Sequence, residues 1–306
     1  MLPFTTTYVL LFFLLVMNSC SESQLESNIQ NPVIIAKDTV IFGESVALGS
    51  LEKGIIDEAS GIAMSILNKE SLWSHNDSGD SARLFLIDTL AQHRMTCTIK
   101  GAFNRDWEDI ATAKDPSDNK NKIFIGDIGD NLSVHKYSTI YIIEEPLFTS
   151  NKNVTIDLHS KITFKYQDGP RDAETLMVDP TSGDIFIISK REANVNLYLI
   201  PYPYNLKDTL VAEKILTLPY TQIVAGDISF DGKEILLKNY QYVWYWSRKN
   251  GMSILDALSR KPFETSYKQE PQGEAVCWSR DAKAFYTISE ESPFKLQQVL
   301  YKYLKR

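Results

Sequence analysis

Apolar and polar positions along this chain alternate in short blocks, and no long stretch keeps a helical period. The clearest block lies in the middle. Glu174 to Val178 reads as a strand, and Asp179-Pro180-Thr181-Ser182-Gly183-Asp184 carries turn chemistry. Ile185-Phe186-Ile187-Ile188 is a continuous apolar run of strand length, as expected of a strand buried on both faces. Asn196 to Pro201 and Lys214 to Leu218 complete four strands with short connections, which predicts one antiparallel meander. Similar turns recur at Phe230-Asp231-Gly232-Lys233 and Ser279-Arg280-Asp281-Ala282-Lys283. Only Ser253 to Arg260 reads as a short helical insertion.

The meander repeats. Segments opening at Ala59-Ser60-Gly61, Trp107-Glu108-Asp109, Asp172-Ala173-Glu174, Ala225-Gly226-Asp227 and Gln272-Gly273-Glu274 share one plan. Taking Ser60, Glu108, Glu174, Asp227 and Glu274 as equivalent gives spacings of 48, 66, 53 and 47 residues. A four-stranded unit repeating at that interval predicts an all-β fold, a β-propeller of four-stranded antiparallel blades. A β-sandwich does not explain the recurring polar entry. The last repeat offers three strands, Glu274 to Trp278, Ala284 to Ile288 and Leu296 to Tyr303. An N-terminal strand near Thr39 to Phe42 is expected to supply its fourth, closing the ring and removing open edges. This predicts five blades. Six is the alternative, because the gap from Glu108 to Glu174 is long and residues 33–58 are only partly explained.

The N-terminus follows another pattern. Residues 1–20 contain no charged side chain, and Tyr8 to Met17 is apolar. Such a run is shorter than the roughly 20 residues of a membrane-spanning helix and suits a signal peptide. It ends at Ser19-Cys20, which resembles a bacterial lipobox with Cys20 as the lipidated residue. Residues 21–32 read as a flexible tether, and residues 33–306 as a single propeller domain. The expected location is the bacterial cell envelope, lipid-anchored to the outer membrane on its periplasmic or cell-surface face. The formal charge of -7 and a pI near 5.3 exclude a nucleic-acid-binding surface. A monomer is expected.

Two cysteines follow Cys20. Cys277 falls on an innermost strand of the last blade and Cys97 on an outermost strand of the first. Three strand spacings of about 4.8 Å separate such positions, beyond the reach of a disulfide. Two free, buried thiols are expected.

In a propeller the first strand of each blade lines the channel. Glu108, Glu174, Asp227 and Glu274 would then converge, with Glu58, Asp109 and Asp172 nearby. Carboxylates at close range repel unless a cation, a basic partner or a proton joins them. Hard oxygen ligands suit Ca²⁺, so these four are the candidate metal ligands. The structural alternative is that the acids accept hydrogen bonds from backbone amides of the next blade.

The second strands end in polar strings: His75-Asn76-Asp77-Ser78-Gly79-Asp80, Gly126-Asp127-Ile128-Gly129-Asp130-Asn131, Ser189-Lys190-Arg191-Glu192, Lys238-Asn239-Tyr240 and Ser289-Glu290-Glu291. Asn76, Asp77, Asp127, Lys190, Arg191 and Lys238 are the candidate ligand-binding residues, the basic ones facing a small anion across the acidic sector. Asx-turn chemistry is the alternative for the acids and amides, and solvated surface positions for the lysines. His75, Glu108 and Glu274 are the candidate acid–base groups, although a lone histidine is more often structural. The run Tyr240 to Trp246 alternates as a strand packed between blades would. No Walker loop, H-E-x-x-H, G-x-S-x-G or dinucleotide fingerprint occurs.

The strings SGIA, HNDSGD, DWEDIA, GDIGDN, DAETLMVDP with ISKRE, and GEAVCWS with TISEE resemble a group of propeller proteins of Bacteroidetes and actinobacteria. The rhythm is also similar to phytase-like and esterase-like propellers, and more distantly to gluconolactonase and strictosidine-synthase-like ones. The resemblance spans residues 55–304 and implies a fold, not a reaction. The expected function is an envelope-anchored propeller whose acidic channel binds Ca²⁺ and a small anionic ligand, an envelope protein or a glycan. The alternative is a metal-dependent hydrolase of phosphoesters, esters or lactones using the channel carboxylates.

Overall fold

The computed structural model describes residues 42–291 and 296–306. The proposed signal segment, Cys20, the tether and Thr39 to Ile41 lie outside the described residues.

The described chain is all-β and propeller-like. Its first strand, β1 (Val46–Ser50), waits for a partner at the other end of the chain. Strands β2 (Ala59–Met64), β3 (Ser71–Asn76), β4 (Arg83–Asp88) and β5 (His93–Lys100) form an antiparallel meander. A second meander runs through β6 (Trp107–Lys114), β7 (Asn121–Asp127) and β8 (Ser138–Glu144). The chain then detours through β9 (Asn153–Asp157), which pairs parallel with β5, before β10 (Ser160–Tyr166) completes the second meander against β8. That detour accounts for the long spacing between Glu108 and Glu174 without a further meander.

The third meander is β11 (Ala173–Val178), β12 (Ile185–Ser189), β13 (Asn196–Ile200) and β14 (Leu210–Thr217), with β14 also pairing parallel to β10. The fourth is β15 (Ile223–Ile228), β16 (Glu234–Asn239), β17 (Val243–Ser247) and β18 (Phe263–Glu264). A short helix, α1 (Ile254–Leu258), interrupts it with Ser253 as N-cap, as the pattern of Ser253 to Arg260 predicts. Finally β19 (Ala275–Trp278), β20 (Ala284–Ile288) and β21 (Val299–Leu304) join β1 in one sheet. The closing strand is therefore Val46–Ser50. Phe42 contributes only an isolated bridge to Lys305. Among the described residues no helix is long and apolar enough to cross a membrane.

The cores lie between meanders. Ile62 and Phe85 pack against Cys277 and Tyr286, Trp73 and Leu86 against Ile110 and Ile125, and Ile140 and Ile162 against Ile187 and Tyr198. Met177 and Ile188 pack against Ile235 and Trp244, and Leu236 and Tyr245 against Val276 and Phe285. Trp244 and Trp246 thus serve one neighbour while Val243 and Tyr245 serve the other, so both faces of β17 are buried. Each large apolar side chain so buried contributes about 1.5–3 kcal/mol. The strands β2, β6, β11, β15 and β19 pack side by side in a closed cycle. Cys97 on β5 and Cys277 on β19 are both free and buried.

One local feature positions the chemistry. Near the start of β2, β6, β11 and β15 the ladder skips a residue: Ser60, Glu108, Glu174 and Val224 have no partner on the neighbouring strand. Such a bulge bends the strand and frees the extra residue from the pleat. Glu274, directly before β19, holds the corresponding place. Asp227 does not. It lies three residues beyond Val224, paired with Leu236 inside the ladder, so grouping it with Glu108 and Glu174 is corrected.

Candidate functional site: a carboxylate cluster at the channel mouth

The bulge residues and the returns from the second strands meet at one mouth. In four meanders a return N–H donates to the carbonyl two residues ahead of the bulge: Asp77 to Glu58, Gly129 to Asp106, Lys190 to Asp172 and Glu290 to Gln272. Asp77, Gly129, Lys190 and Glu290 are therefore positional equivalents, as are Glu58, Asp106, Asp172 and Gln272.

Two overlapping carboxylate groups result. Asp77, Asp106 and Glu108 each offer an oxygen within 4.8 Å of the other two, and so do Glu108, Asp172 and Glu174. Glu108 belongs to both. It is only 5% exposed, and no hydrogen-bond donor reaches its carboxylate among the described residues. Burial, then the charges of Glu174, Asp77 and Asp106, push the Glu108 carboxyl well above its ordinary range. Burial and Glu274 do the same to Glu174, against the pull of Lys190. Burial raises Asp77 to about 6, with Asp106 among its repelling neighbours.

Gly129 makes the approach possible. A Cβ there would lie 2.1 Å from Glu108 Oε1 and 2.5 Å from Asp106 Oδ2. Where the other meanders carry Asp77, Lys190 or Glu290, this one carries no side chain.

The basic residues sit inside the acidic sector, not opposite it. Lys190 Nζ donates to Glu174 Oε1 and stands 3.9 Å from Glu274. Burial alone would lower the Lys190 pKa, but these carboxylates outweigh it and hold the ammonium charged. Arg191 pairs with Asp172 at 2.5 Å and donates to Asn131. Both cations neutralise protein carboxylates rather than face an open anion site. Lys238 is fully buried. Its Nζ donates to the carbonyls of Gly273 and Asn239, and it lies 4.7 Å from the centre of the Tyr267 ring. Desolvation lowers its pKa to about 8, and it is removed from the candidate ligand contacts.

Glu274 lies outside both carboxylate triads. It accepts from Tyr240 and borders Glu290, whose carboxyl is raised to about 9 by burial and then by Glu274. Glu290 in turn accepts from Ser60 at 2.7 Å. These residues form a hydrogen-bonded network that borders the two carboxylate groups through Lys190 and the charge of Glu274.

Asp227 accepts from the Trp278 N–H at 2.7 Å, and Asp109 from the Leu176 N–H at 2.9 Å. Both carboxylates, Asp109 buried and Asp227 half-buried, tie one inner strand to the next and stand outside the two carboxylate groups. Asn76 spends its amide on Glu58 N–H, Asp80 and Ile55, so it shapes its own loop. Asp127 accepts from Asp106 N–H at 3.0 Å and pairs with Arg105 at 3.7 Å, which positions Asp106.

His75 is corrected as an acid–base candidate. It is wholly buried, its Nδ1 donates to the Asn76 carbonyl at 3.1 Å, and its ring packs edge-on to Trp107 at 5.8 Å. Burial lowers its pKa to about 4, so it is a neutral core residue at pH 7.

Asp106 and Asp172 join Glu108 in the two carboxylate groups. Each stands two residues before a bulge glutamate, giving Asp106-Trp107-Glu108 and Asp172-Ala173-Glu174. This repeated D-x-E, present in two adjacent repeats, was the available signal.

No protein-family model matches the chain, and no curated protein matches it. Among solved structures it is similar to the PQQ-bound aldose sugar dehydrogenase of Streptomyces coelicolor. Identity is 9%, coverage 86% of this chain and 98% of that one, and the TM-score 0.47. A similarity this remote has no bearing on the chemistry of the mouth.

Proposed function

We propose that this protein is a lipid-anchored β-propeller of the bacterial cell envelope that binds Ca²⁺ at its channel mouth and, through it, a small anionic ligand. The reading takes the ring as five blades of four strands, the last closed by β1. Supporting that count are the closed cycle of five inner strands and the five interleaved cores. Anchoring through Cys20 follows from the N-terminal pattern.

The observation that carries the cation is Glu108. A buried carboxylate without a donor is costly, and several carboxylates gathered round it make it more so. A hard divalent cation is the partner that all-oxygen, anionic surroundings select. A bound cation that keeps one position open to solvent would then offer an anion its only strong contact at the mouth, since Lys190 and Arg191 are already paired.

The test is calorimetric Ca²⁺ titration of the chain from Ser21 onward, beside a Glu108→Gln/Glu174→Gln variant. Binding that the variant loses while remaining folded supports the reading. No heat and no bound Ca²⁺ in the parent chain would overturn it.

A further inference from the structure

We propose that the mouth takes two divalent cations rather than one, with Glu108 shared between them. This deepens the cation reading above and rests on it.

The two carboxylate groups do not merge into one. Asp77 and Asp106 form one triad with Glu108, Asp172 and Glu174 form the other, and within each triad the three oxygens lie within 4.8 Å of one another. Three oxygens at that spacing can all reach a Ca²⁺ at its usual distance of about 2.3–2.6 Å. Each triad therefore offers a three-oxygen position of its own, with Glu108 common to both.

The two triads differ in burial: Asp77 and Asp106 are half-buried, whereas Asp172 and Glu174 are buried. Glu174 turns Oε1 to Lys190, and its Oε2 is buried with no partner. The residue is 4% exposed and the free oxygen belongs to a carboxylate of the second triad. Asp77 and Asp106 make no ion pair among the described residues. Glu108, between them, lacks a donor of its own. Lys190 and Arg191 compensate part of the charge of the second triad, so that side needs less from its ion. In the first triad no carboxylate has an ion pair among the described residues; Arg105 acts on Asp106 at a distance and is paired with Asp127, which makes this the stronger Ca²⁺ position of the two.

Shared carboxylates are how two hard cations are held close together, at about 3.5–4 Å, without their mutual repulsion dominating. Gly129 fits this arrangement, because it lets Asp106 and Glu108 close on the first position.

The experiment is equilibrium dialysis of the chain from Ser21 onward against Ca²⁺ alone, counting bound ion per chain. Two equivalents are expected. Glu174→Gln should keep the tighter one and lose the weaker, and Asp77→Asn/Asp106→Asn should lose the tighter. Glu108→Gln should lose both. Circular dichroism and melting in EDTA verify folding, and these charge-removing changes should leave the melting point equal or higher. If a variant fails to fold, Gly129→Ala replaces it and should weaken the tighter position selectively. One equivalent in the parent chain would overturn this inference while leaving the single-cation reading intact. Two equivalents of which Glu108→Gln retains one would overturn the sharing. No bound Ca²⁺ would overturn both readings.

Discussion

Glu108 and Gly129 face each other so closely that a methyl group on the glycine would stand 2.1 Å from Glu108 Oε1. The same methyl would crowd Asp106. Overpacking of this kind costs about 1–3 kcal/mol when the neighbours must move. Gly129→Ala should therefore weaken Ca²⁺ binding at least tenfold by calorimetry while the protein still folds. Unchanged affinity would mean that the close approach of Asp106 and Glu108 has no part in binding.

Asp227 is predicted to behave in the opposite way. Its carboxylate receives the Trp278 N–H across two inner strands. Asp227→Ala leaves that buried donor unsatisfied, a loss of about 1–3 kcal/mol. Urea denaturation should show the loss, and Ca²⁺ stoichiometry should not change. A variant of parental stability would contradict the inter-strand role.

The pH dependence follows from the raised carboxyls. Glu108 and Glu174 are held well above their ordinary values and Asp77 at about 6, by burial first and then by neighbouring carboxylates. Protons compete with the cation for these oxygens. Ca²⁺ affinity should rise as pH climbs through the raised values, and binding near pH 6 should release protons. For the metal-free protein the sign is reversed. Folded pKa values above unfolded ones stabilise the fold at low pH, and this contribution is lost as pH rises past the unfolded value near 4.5. Melting in EDTA should thus fall with pH, less steeply in Glu108→Gln. Calorimetry in buffers of different ionisation enthalpy checks the proton count, and zero release would contradict the assignment.

Cys97 and Cys277 should stay inert. Burial pushes the Cys97 thiol to about 12 and the Cys277 thiol well above its ordinary value. Thiol reagents at pH 8 should label neither in the folded protein and both after denaturation. Fast labelling of either in native conditions would contradict the packing.

The meander, its repeat and the free thiols were legible because they depend on patterns that sequence carries directly: apolar runs of strand length, turn residues and spacing. The site was only half legible. Glu108 and Glu174 stood out as acids at strand entry. Asp227 looked the same because it also follows small residues, yet the bulge falls at Val224, and a bulge shifts which side chain leaves the ladder. Lys190 and Arg191 were visible as cations, but their pairing with Glu174 and Asp172 is a tertiary fact. His75 is polar in sequence and apolar in environment, since only the fold puts Trp107 against it. Gly129 gave no sign at all, because its contribution is the side chain it lacks.

The most direct measurement is the anomalous scattering of a crystal grown with Ca²⁺ or soaked in Mn²⁺. Peaks bonded to Glu108, about 2.3–2.6 Å from its oxygens for Ca²⁺, are predicted, with Asp77, Asp106, Asp172 and Glu174 completing the coordination. A mouth without anomalous density at saturating cation, and with Glu108 protonated or hydrated instead, would contradict the account.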